Sequence, residues 1–127
     1  MSDTSNFVER VIADLSFDEN GLVPAIAQSD ETGEVLMLAY MNAEAIRKTL
    51  GSGQVCYWSR SRQKIWRKGE SSGHVQQLVE LRYDCDNDAV LLRVEQTGPA
   101  CHTNRPNCFF RAVRNGEVIV IKGPHED

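Results

Sequence analysis

The donor residues between Asp84 and Cys108 restrict the fold of this chain more than any other feature of its sequence. Three cysteines, one histidine and three alternating aspartates fall within this stretch. Thiolates are the preferred protein ligands of zinc and carboxylates prefer hard ions such as magnesium, so the mixture suggests two kinds of metal and metal-assisted hydrolysis. The donors are Asp84, Cys85, Asp86, Asp88, Cys101, His102 and Cys108.

The cysteines have the composition of a zinc site. Cys101 and Cys108 are separated by a loop that can bring both sulfurs to one ion. Cys85 as a third ligand would leave the fourth tetrahedral position for water, which is the arrangement of a catalytic zinc. The alternative is a set of buried thiols with His102 at the surface. His102 could also complete the tetrahedron, but its adjacency to Cys101 makes joint ligation awkward, so we expect it to carry a proton near the bound water.

The three aspartates suggest a second metal. In an extended segment Asp84, Asp86 and Asp88 project from one face while Cys85 projects from the other, so one strand end could serve two metals. A solvated acidic turn is the alternative interpretation. An EF-hand calcium loop is rejected, because its sixth position would be Ala89 where that loop requires glycine.

The spacing of the cysteines bears on assembly. A strand from Ala89 to Gln96 is about 25 Å long at about 3.3 Å per residue. Cys85 lies before this strand and Cys101 lies after it. Either the loop that follows doubles back, or a second chain brings its own Cys101 to this Cys85. We prefer the dimer.

The composition is that of a single globular domain. With 127 residues, 41% hydrophobic and 25% charged, the chain can bury one core, and we expect one domain over residues 1–127. No apolar run is long enough to cross a bilayer and the N-terminus has no leader pattern, so we expect a cytoplasmic protein with reduced thiols and no membrane partner. Cys56 lies in an apolar stretch and is expected in the core. A net charge of −4 disfavours nucleic acid.

Hydrophobic periodicity and turn residues predict an α+β fold, rich in strands and with two short helices. The first helix is amphipathic and precedes a turn over 16–21; the second has Asn42 as N-cap, covers 43–50 and is ended by Gly51. A hairpin of 22–28 with 35–40 lies between the helices, and Asn115-Gly116 marks a tight hairpin near the end. The remaining strands are predicted at 54–59, 64–67, 75–82, 89–96, 109–113 and 118–122.

A basic aromatic segment from Tyr57 to His74 suggests an anion site in this acidic chain. Arginine forks match phosphate oxygens, and the glycine-rich stretch after them can expose backbone N–H groups and the hydroxyls of Ser71 and Ser72. Trp58 and Trp66 could stack on a base; the alternative is a solvated hairpin whose tryptophans belong to the core. The cations are Arg60, Arg62, Lys64, Arg67 and Lys68.

The combined motifs closely resemble the phosphoribosyl-AMP cyclohydrolase family. The resemblance runs over about residues 21–113. Two positions depart from it: glycine is expected where the chain has Asn104, and serine where it has Asn107. Asparagine tolerates a left-handed backbone, so the loop can accept the first change, and the second concerns a hydrogen bond. The matching segments are 21–26, 35–42, 57–62, 66–73, 84–88, 98–103 and Cys108.

The resemblance implies a fold, an activity and two cofactors. It implies an intertwined homodimer in which zinc is bound by Cys85 of one chain and by Cys101 and Cys108 of the other, with magnesium near Asp84, Asp86 and Asp88. The implied reaction is zinc-dependent hydrolysis of the N1–C6 bond of 1-(5-phosphoribosyl)-AMP, giving the phosphoribosyl-formimino-AICAR phosphate intermediate of histidine biosynthesis. Candidate catalytic residues are His102 and Lys68. Candidate substrate-binding residues are Arg60, Arg62, Trp66, Gly69, Glu70, Ser71 and Ser72, with Glu70 also considered for proton transfer.

Two other functions fit parts of the pattern. A zinc-dependent nucleobase or nucleotide deaminase would release ammonia, whereas ring opening releases none. A zinc-stabilised binding module would have no open metal position and no activity toward purine nucleotides.

Overall fold

The computed structural model describes residues 3–121, with side chains described from Phe7 onward. Two helices and eight strands lie within these residues, in the order αββαββββββ. The helices are α1 (Asp3–Asp14) and α2 (Ala43–Ser52). The strands are β1 (Val23–Ser29), β2 (Val35–Met41), β3 (Cys56–Ser59), β4 (Lys64–Arg67), β5 (Gln76–Tyr83), β6 (Val90–Gln96), β7 (Arg111–Arg114) and β8 (Glu117–Val120).

Six of the strands form one sheet in the order β4-β3-β2-β1-β6-β5. Neighbouring strands are antiparallel except β1 and β6, which run parallel. The connection between β1 and β6 contains α2 and four other strands, so the long crossover that a parallel pair requires is available. Strands β7 and β8 form a separate two-stranded sheet. This architecture confirms the predicted strand-rich α+β class.

The first hairpin follows from sequence alternation. Along β1, residues at every second position are buried and those between them are partly exposed, so one face of the strand meets the core. β1 pairs antiparallel with β2, which confirms the predicted hairpin. Helix α1 packs beside α2, where the guanidinium of Arg47 is hydrogen-bonded to both carboxylate oxygens of Glu9 at 2.8 and 3.2 Å. The predicted amphipathic helix before 16–21 is confirmed.

The start of α2 is as predicted but its end is not. The side chain of Asn42 accepts a hydrogen bond from the backbone N–H of Ala45 at 2.8 Å, which confirms the N-cap. The helix continues through Gly51 and ends at Gly53, whose φ of 80° is the left-handed conformation and whose N–H donates to the Thr49 carbonyl. The prediction of Gly51 as the terminator was wrong. Gly51 stays helical because a glycine is tolerated in a helix interior. Gly53 caps the helix because its left-handed conformation favours glycine.

The remaining strands match the predicted segments with shifted ends. The segment predicted from Gln54 becomes strand only at Cys56, because Gln54 makes an isolated bridge to Gln77 instead. The strand predicted from Phe109 begins at Arg111, although the Phe110 carbonyl still accepts a hydrogen bond from the N–H of Ile121 at 2.7 Å. Asn115 and Gly116 have φ values of 52° and 79°, which fits the predicted tight hairpin. Lys122, predicted as the end of the last strand, lies outside the described residues.

One hydrophobic core unites the large sheet with the two helices. The fully buried side chains of Ile46 from α2, Leu92 from β6 and Tyr57 from β3 lie at its centre. Burying an aliphatic side chain of this size contributes about 1.5–3 kcal/mol. Cys56 is buried as expected. None of the helices formed by residues 3–121 has the length and apolar character required to span a membrane.

Candidate active site

A loop over residues 97–108, here called the cysteine loop, is bonded to the sheet at Cys108 and closed on itself at Cys101. The N–H of Cys108 donates to the carbonyl of Leu36 in β2 at 2.8 Å, and the N–H of Cys101 donates to the carbonyl of Arg105 at 3.1 Å. The turn between the cysteines depends on Asn104, whose φ is 72°. Asparagine adopts this left-handed conformation more readily than most residues, so the expectation that the loop accepts Asn104 is confirmed.

The thiols of Cys101 and Cys108 lie close enough to shift each other's pKa. Cys108 is exposed as a residue, but partial burial of its thiol raises the pKa to about 11, assisted by the charge of Cys101 and partly offset by Lys68. Burial would also raise the pKa of Cys101, but hydrogen bonds from Thr103 and Cys108 outweigh it and the net shift is downward. The Thr103 hydroxyl lies 2.9 Å from the Cys101 sulfur. One thiol of the pair is therefore prepared for the thiolate form, which is the form that binds zinc.

Asn107 connects the cysteine loop to the first hairpin. Its side-chain N–H donates to the carboxylate of Glu34, and its side-chain oxygen accepts from the backbone N–H of Phe109 at 2.7 Å. Cys108 lies between these two anchors. The departure from serine at this position thus introduces a side chain that reaches two partners, and it does not leave the loop unsupported.

Lys68 joins the basic segment to the cysteine loop. Its ammonium donates to the carbonyl of Ala100 at 2.7 Å, directly before Cys101. Partial burial lowers the pKa of Lys68, opposed by the nearby sulfurs of Cys108 and Cys101. A cation therefore lies beside the paired thiols and is held there by a backbone carbonyl.

A cleft of about 550 Å3 opens beside Lys68. It brings together most of the residues that the sequence predicted for substrate binding and proton transfer. Arg62, Lys64 and Arg67 supply further positive charge, and His102 faces the cleft from the cysteine loop. The lining is Ser59, Ser61, Arg62, Lys64, Trp66, Arg67, Lys68, Gly69, Glu70, Ser71, Ser72 and His102.

The cleft wall contains one aromatic ring that is supported from behind. Trp66 packs on the buried ring of Tyr57, with ring centroids 5.2 Å apart and planes tilted by 39°. The Trp66 side chain is thus both a part of the cleft and a part of the core packing, so both interpretations hold for Trp66, whereas Trp58 does not line the cleft. Glu70 accepts a hydrogen bond from the Arg67 backbone N–H at 3.0 Å, so its carboxylate is held at the rim.

Arg60 lies apart from this lining. Its guanidinium stacks on the ring of Tyr40, 4.0 Å from the centroid. Strand β3 ends at Ser59, and the turn that follows directs Arg60 toward β2, while Arg62 reaches the cleft.

The aspartates converge, but through a turn. Residues 85–88 form a turn between β5 and β6, and Asn87 has a φ of 65°. The prediction of an extended segment was therefore wrong. A side-chain oxygen of Asp84 accepts from the N–H groups of Asp88 and Ala89 at 3.0 and 3.2 Å, which closes the turn. Side-chain oxygens of Asp84, Asp86 and Asp88 lie within 4.8 Å of one another, the crowding of an ion-sized oxygen cluster.

No cationic side chain of the described residues is among the groups that shift the pKa of Asp88; the groups that act on it are the carboxylates of Asp86 and Asp84. A shared hydrogen bond with Asp86 raises the pKa of Asp88, and the charges of both neighbouring carboxylates add to the effect. Burial would raise the pKa of Asp84, but hydrogen bonds from the two backbone N–H donors outweigh this effect, and the net shift of the pKa is downward. Three carboxylates with oxygens this close together are a donor set that suits a hard divalent cation.

Cys85 does not meet the other two thiols within one chain. It is exposed in the acidic turn before β6, whereas Cys101 follows β6. Within residues 3–121, the aspartates form the one cluster of three or more ion-sized donors. One chain therefore assembles two thiols of the predicted zinc site and leaves the third exposed elsewhere.

A second cleft of about 670 Å3 lies between α2 and β4. Its lining includes Lys48, Cys56, Ile65, Arg67 and Glu70. Although it is larger, it contains neither His102 nor Lys68, so the smaller cleft has the richer set of reactive side chains.

Sequence reasoning missed a buried polar chain behind the site. The Tyr57 hydroxyl donates to the Gln76 side-chain oxygen at 2.6 Å, and the Gln76 amide donates to Gln96 at 2.8 Å. Gln76 is fully buried. Its position on the core face of β5 was the available signal, because a buried amide requires partners.

Comparison with known proteins agrees with these features. A sequence model of the phosphoribosyl-AMP cyclohydrolase family matches residues 37–110. The phosphoribosyl-AMP cyclohydrolase of Paracoccus denitrificans is 67% identical over 88% of this chain and 93% of its own length. Those of Cereibacter sphaeroides and Rhodospirillum centenum are 62% and 61% identical, over 88% and 93% of this chain and 94% and 89% of their own lengths. The extent and identity of these matches show that the chain belongs to the phosphoribosyl-AMP cyclohydrolase family.

Proposed function

We propose that this chain is a phosphoribosyl-AMP cyclohydrolase of histidine biosynthesis, which opens the adenine ring of phosphoribosyl-AMP by hydrolysis. The observation that carries the proposal is the cleft in which Arg62, Lys64 and Trp66 face His102 and Lys68, with Cys101 next to the Lys68 contact. The names of the relatives support the same activity. Water adds at C6, the C6–N1 bond breaks and N1 takes up a proton, which leaves a carboxamide and a formamidine.

The cleft chemistry suits a phosphorylated purine nucleotide. Arg62, Lys64 and Lys68 supply positive charge, and the hydroxyls of Ser71 and Ser72 are additional donors for phosphate oxygens. Trp66 offers an aromatic surface against which a purine can stack. Arg60 stacks on Tyr40 and does not line the cleft, so its role in substrate binding stays a prediction.

Zinc is the metal that the thiols fit. Cys101 and Cys108 lie close enough to shift each other's pKa, and a pair of soft sulfur donors matches zinc. We propose that Cys85 supplies the third sulfur. Zinc with an open position would lower the pKa of a water molecule enough for the water to attack at neutral pH. The chain itself supplies the Lys68 ammonium next to the thiols, which offsets part of their negative charge.

The third sulfur is best supplied by a second copy of the chain. Cys85 and Cys101 lie at opposite ends of β6, and Cys85 is exposed. The two-stranded sheet of β7 and β8 also exposes apolar side chains, with 76% of Val113 and 72% of Val118 accessible. An isolated two-stranded hairpin is marginally stable at best, so a covering partner would stabilise it. Both observations support a homodimer with shared sites.

Magnesium is proposed at the acidic turn. Its oxygen donors from Asp84, Asp86 and Asp88 are already close together, and a divalent cation would relieve their repulsion.

Proton transfer is assigned to the cysteine loop. His102 faces the cleft beside Lys68, and an imidazole there can take a proton from the attacking water and deliver it toward N1. Glu70 is held at the rim by the Arg67 N–H, where its carboxylate can orient a substrate hydroxyl or act as a second proton carrier.

The test is a spectrophotometric assay of the purified chain with phosphoribosyl-AMP. We expect ring opening without ammonia release, with loss of activity on chelation and recovery with zinc and magnesium. Ammonia release would identify a deaminase instead. Tightly held zinc with no turnover of any purine nucleotide would identify a binding module.

A further inference from the structure

His74 lies between the two loops that carry the reactive side chains. One is the cysteine loop; the other, residues 68–73, is here called the lysine loop. The imidazole faces the cysteine loop, while the backbone of His74 faces the lysine loop. In sequence, His74 only closes the basic segment, and its contacts with both loops arise from the tertiary structure.

The contacts are made where two glycines have no side chain. A methyl group at Gly98 would lie 2.6 Å from Cδ2 of His74 and 3.1 Å from its Nε2. A methyl group at Gly69 would lie 2.5 Å from the His74 carbonyl carbon and from the Val75 nitrogen. These separations are shorter than van der Waals contact. Each loop therefore rests directly on His74.

The buried polar chain holds this residue from behind. Gln96 donates from its side-chain amide to the carbonyls of His74 and Thr97, at 3.1 and 3.0 Å. Gln96 in turn accepts from Gln76, which accepts from Tyr57. Thr97 and Val75 are also joined by a backbone hydrogen bond of 3.0 Å. The backbone of His74 is thus held to the sheet through Gln96 and the Thr97–Val75 hydrogen bond.

We propose that His74 is a positioning residue that sets the separation between the lysine and cysteine loops. The inference rests on the proposed function, because Lys68 and Cys101 are the groups whose relative placement it sets. The Lys68 ammonium joins the two loops by donating a hydrogen bond to the Ala100 carbonyl at 2.7 Å, and a shift of either loop would lengthen this contact. A misplacement of about 1 Å in an active site can reduce catalysis by about 100-fold.

The test is a double-mutant cycle of Gly98→Ala with His74→Ala. The alanine methyl at position 98 collides with the imidazole, so the imidazole or the cysteine loop must shift. Removing the imidazole in the double variant relieves that collision. We expect Gly98→Ala to lower kcat/KM by about 100-fold, and the double variant to recover about tenfold of that loss. His74→Ala alone should lower kcat more than it changes KM for phosphoribosyl-AMP.

Gly21→Ala is the matched control for backbone strain. Gly21 has a φ of 77°, close to the 70° of Gly98, but a methyl group there meets nothing within 4 Å. It lies in the turn between α1 and β1, outside the site. Alanine there should change kcat/KM by no more than about twofold. The difference between the two glycine variants therefore isolates the contact with His74 from left-handed strain.

A second readout does not depend on turnover. Zinc release to a chromogenic chelator should be faster in Gly98→Ala than in Gly21→Ala, and slower again in the double variant. If Gly98→Ala does not fold, recovery of folded protein in the double variant replaces the kinetic comparison. The inference is overturned if Gly98→Ala matches Gly21→Ala in both readouts, or if the double variant is no better than Gly98→Ala in kcat/KM, zinc release or folding.

The outcome also separates this inference from the proposed function. An unmodified chain that does not turn over phosphoribosyl-AMP contradicts the function itself. An active chain in which His74→Ala keeps full kcat and zinc retention contradicts the positioning role alone.

Discussion

Replacing Tyr57 by Phe should reveal how much the buried polar chain contributes to stability. The Tyr57 hydroxyl donates to the side-chain oxygen of Gln76 at 2.6 Å, and both side chains are inaccessible to solvent. Phenylalanine keeps the ring and its packing against Trp66, whose centroid lies 5.2 Å away. The change therefore removes one hydroxyl and little else, and it leaves the Gln76 oxygen buried without that donor.

The magnitude follows from the asymmetry of buried hydrogen bonds. Leaving a buried acceptor unsatisfied costs about 1–3 kcal/mol, whereas a solvated hydroxyl can be removed at little cost because water takes its place. Gln76 cannot turn to a new donor, since its amide is already committed to Gln96 at 2.8 Å. We expect a loss of about 2 kcal/mol in the free energy of unfolding. In a chain of this size that corresponds to a fall in Tm of about 8 °C.

Urea unfolding followed by circular dichroism measures the effect, at one fixed protein concentration because assembly contributes to apparent stability. Tyr40→Phe is the matched control: its ring faces Arg60 at 4.0 Å, and its hydroxyl has no hydrogen-bond partner among the described residues. The control should lose less than about 0.5 kcal/mol. A loss that small for Tyr57→Phe itself would refute the reasoning, because it would mean that water or a rearranged side chain reaches Gln76.

Three further changes test other parts of the structure. The pKa of Asp14 lies below its ordinary 3.8, chiefly because the Tyr83 hydroxyl donates a hydrogen bond that outweighs the opposing effect of burial. The ionised carboxylate therefore stabilises the fold above about pH 4, and this contribution is lost as pH falls through the lowered pKa. The stability difference between the native chain and Tyr83→Phe, followed by urea unfolding at pH 7 and pH 3, should therefore shrink in acid; a constant difference would contradict this. Mixing inactive Cys85→Ala and Cys101→Ala chains under exchange conditions should restore activity in heterodimers, and no recovery after verified exchange would exclude shared sites. Asn104→Ala should lower the free energy of unfolding by about 1 kcal/mol because its φ is 72°, while Asn104→Gly should not; equal losses in urea unfolding would contradict the left-handed requirement.

Local patterns in the sequence were sufficient for most of the fold. Alternation along β1 and β2, the cap at Asn42 and the turn at Asn115 each act over a few residues, so each could be recognised without a partner. The choice between Gly51 and Gly53 as the end of α2 could not be recognised in this way. Either glycine can cap a helix, and the decision depends on where the chain must turn to enter β3.

The sequence by itself determined which chemistry the site can hold. Cysteine, histidine, aspartate and clustered arginine and lysine have fixed donor properties, and their presence in 57–108 restricts the possible ligands wherever the backbone runs. Tertiary structure alone decided which of these groups meet. It brought His102 to the cleft with Arg62, turned Arg60 toward Tyr40 and left Cys85 apart from Cys101. The physical reason is that a donor's chemistry belongs to its own atoms, whereas a distance between donors far apart in sequence is set by the packing of every element between them.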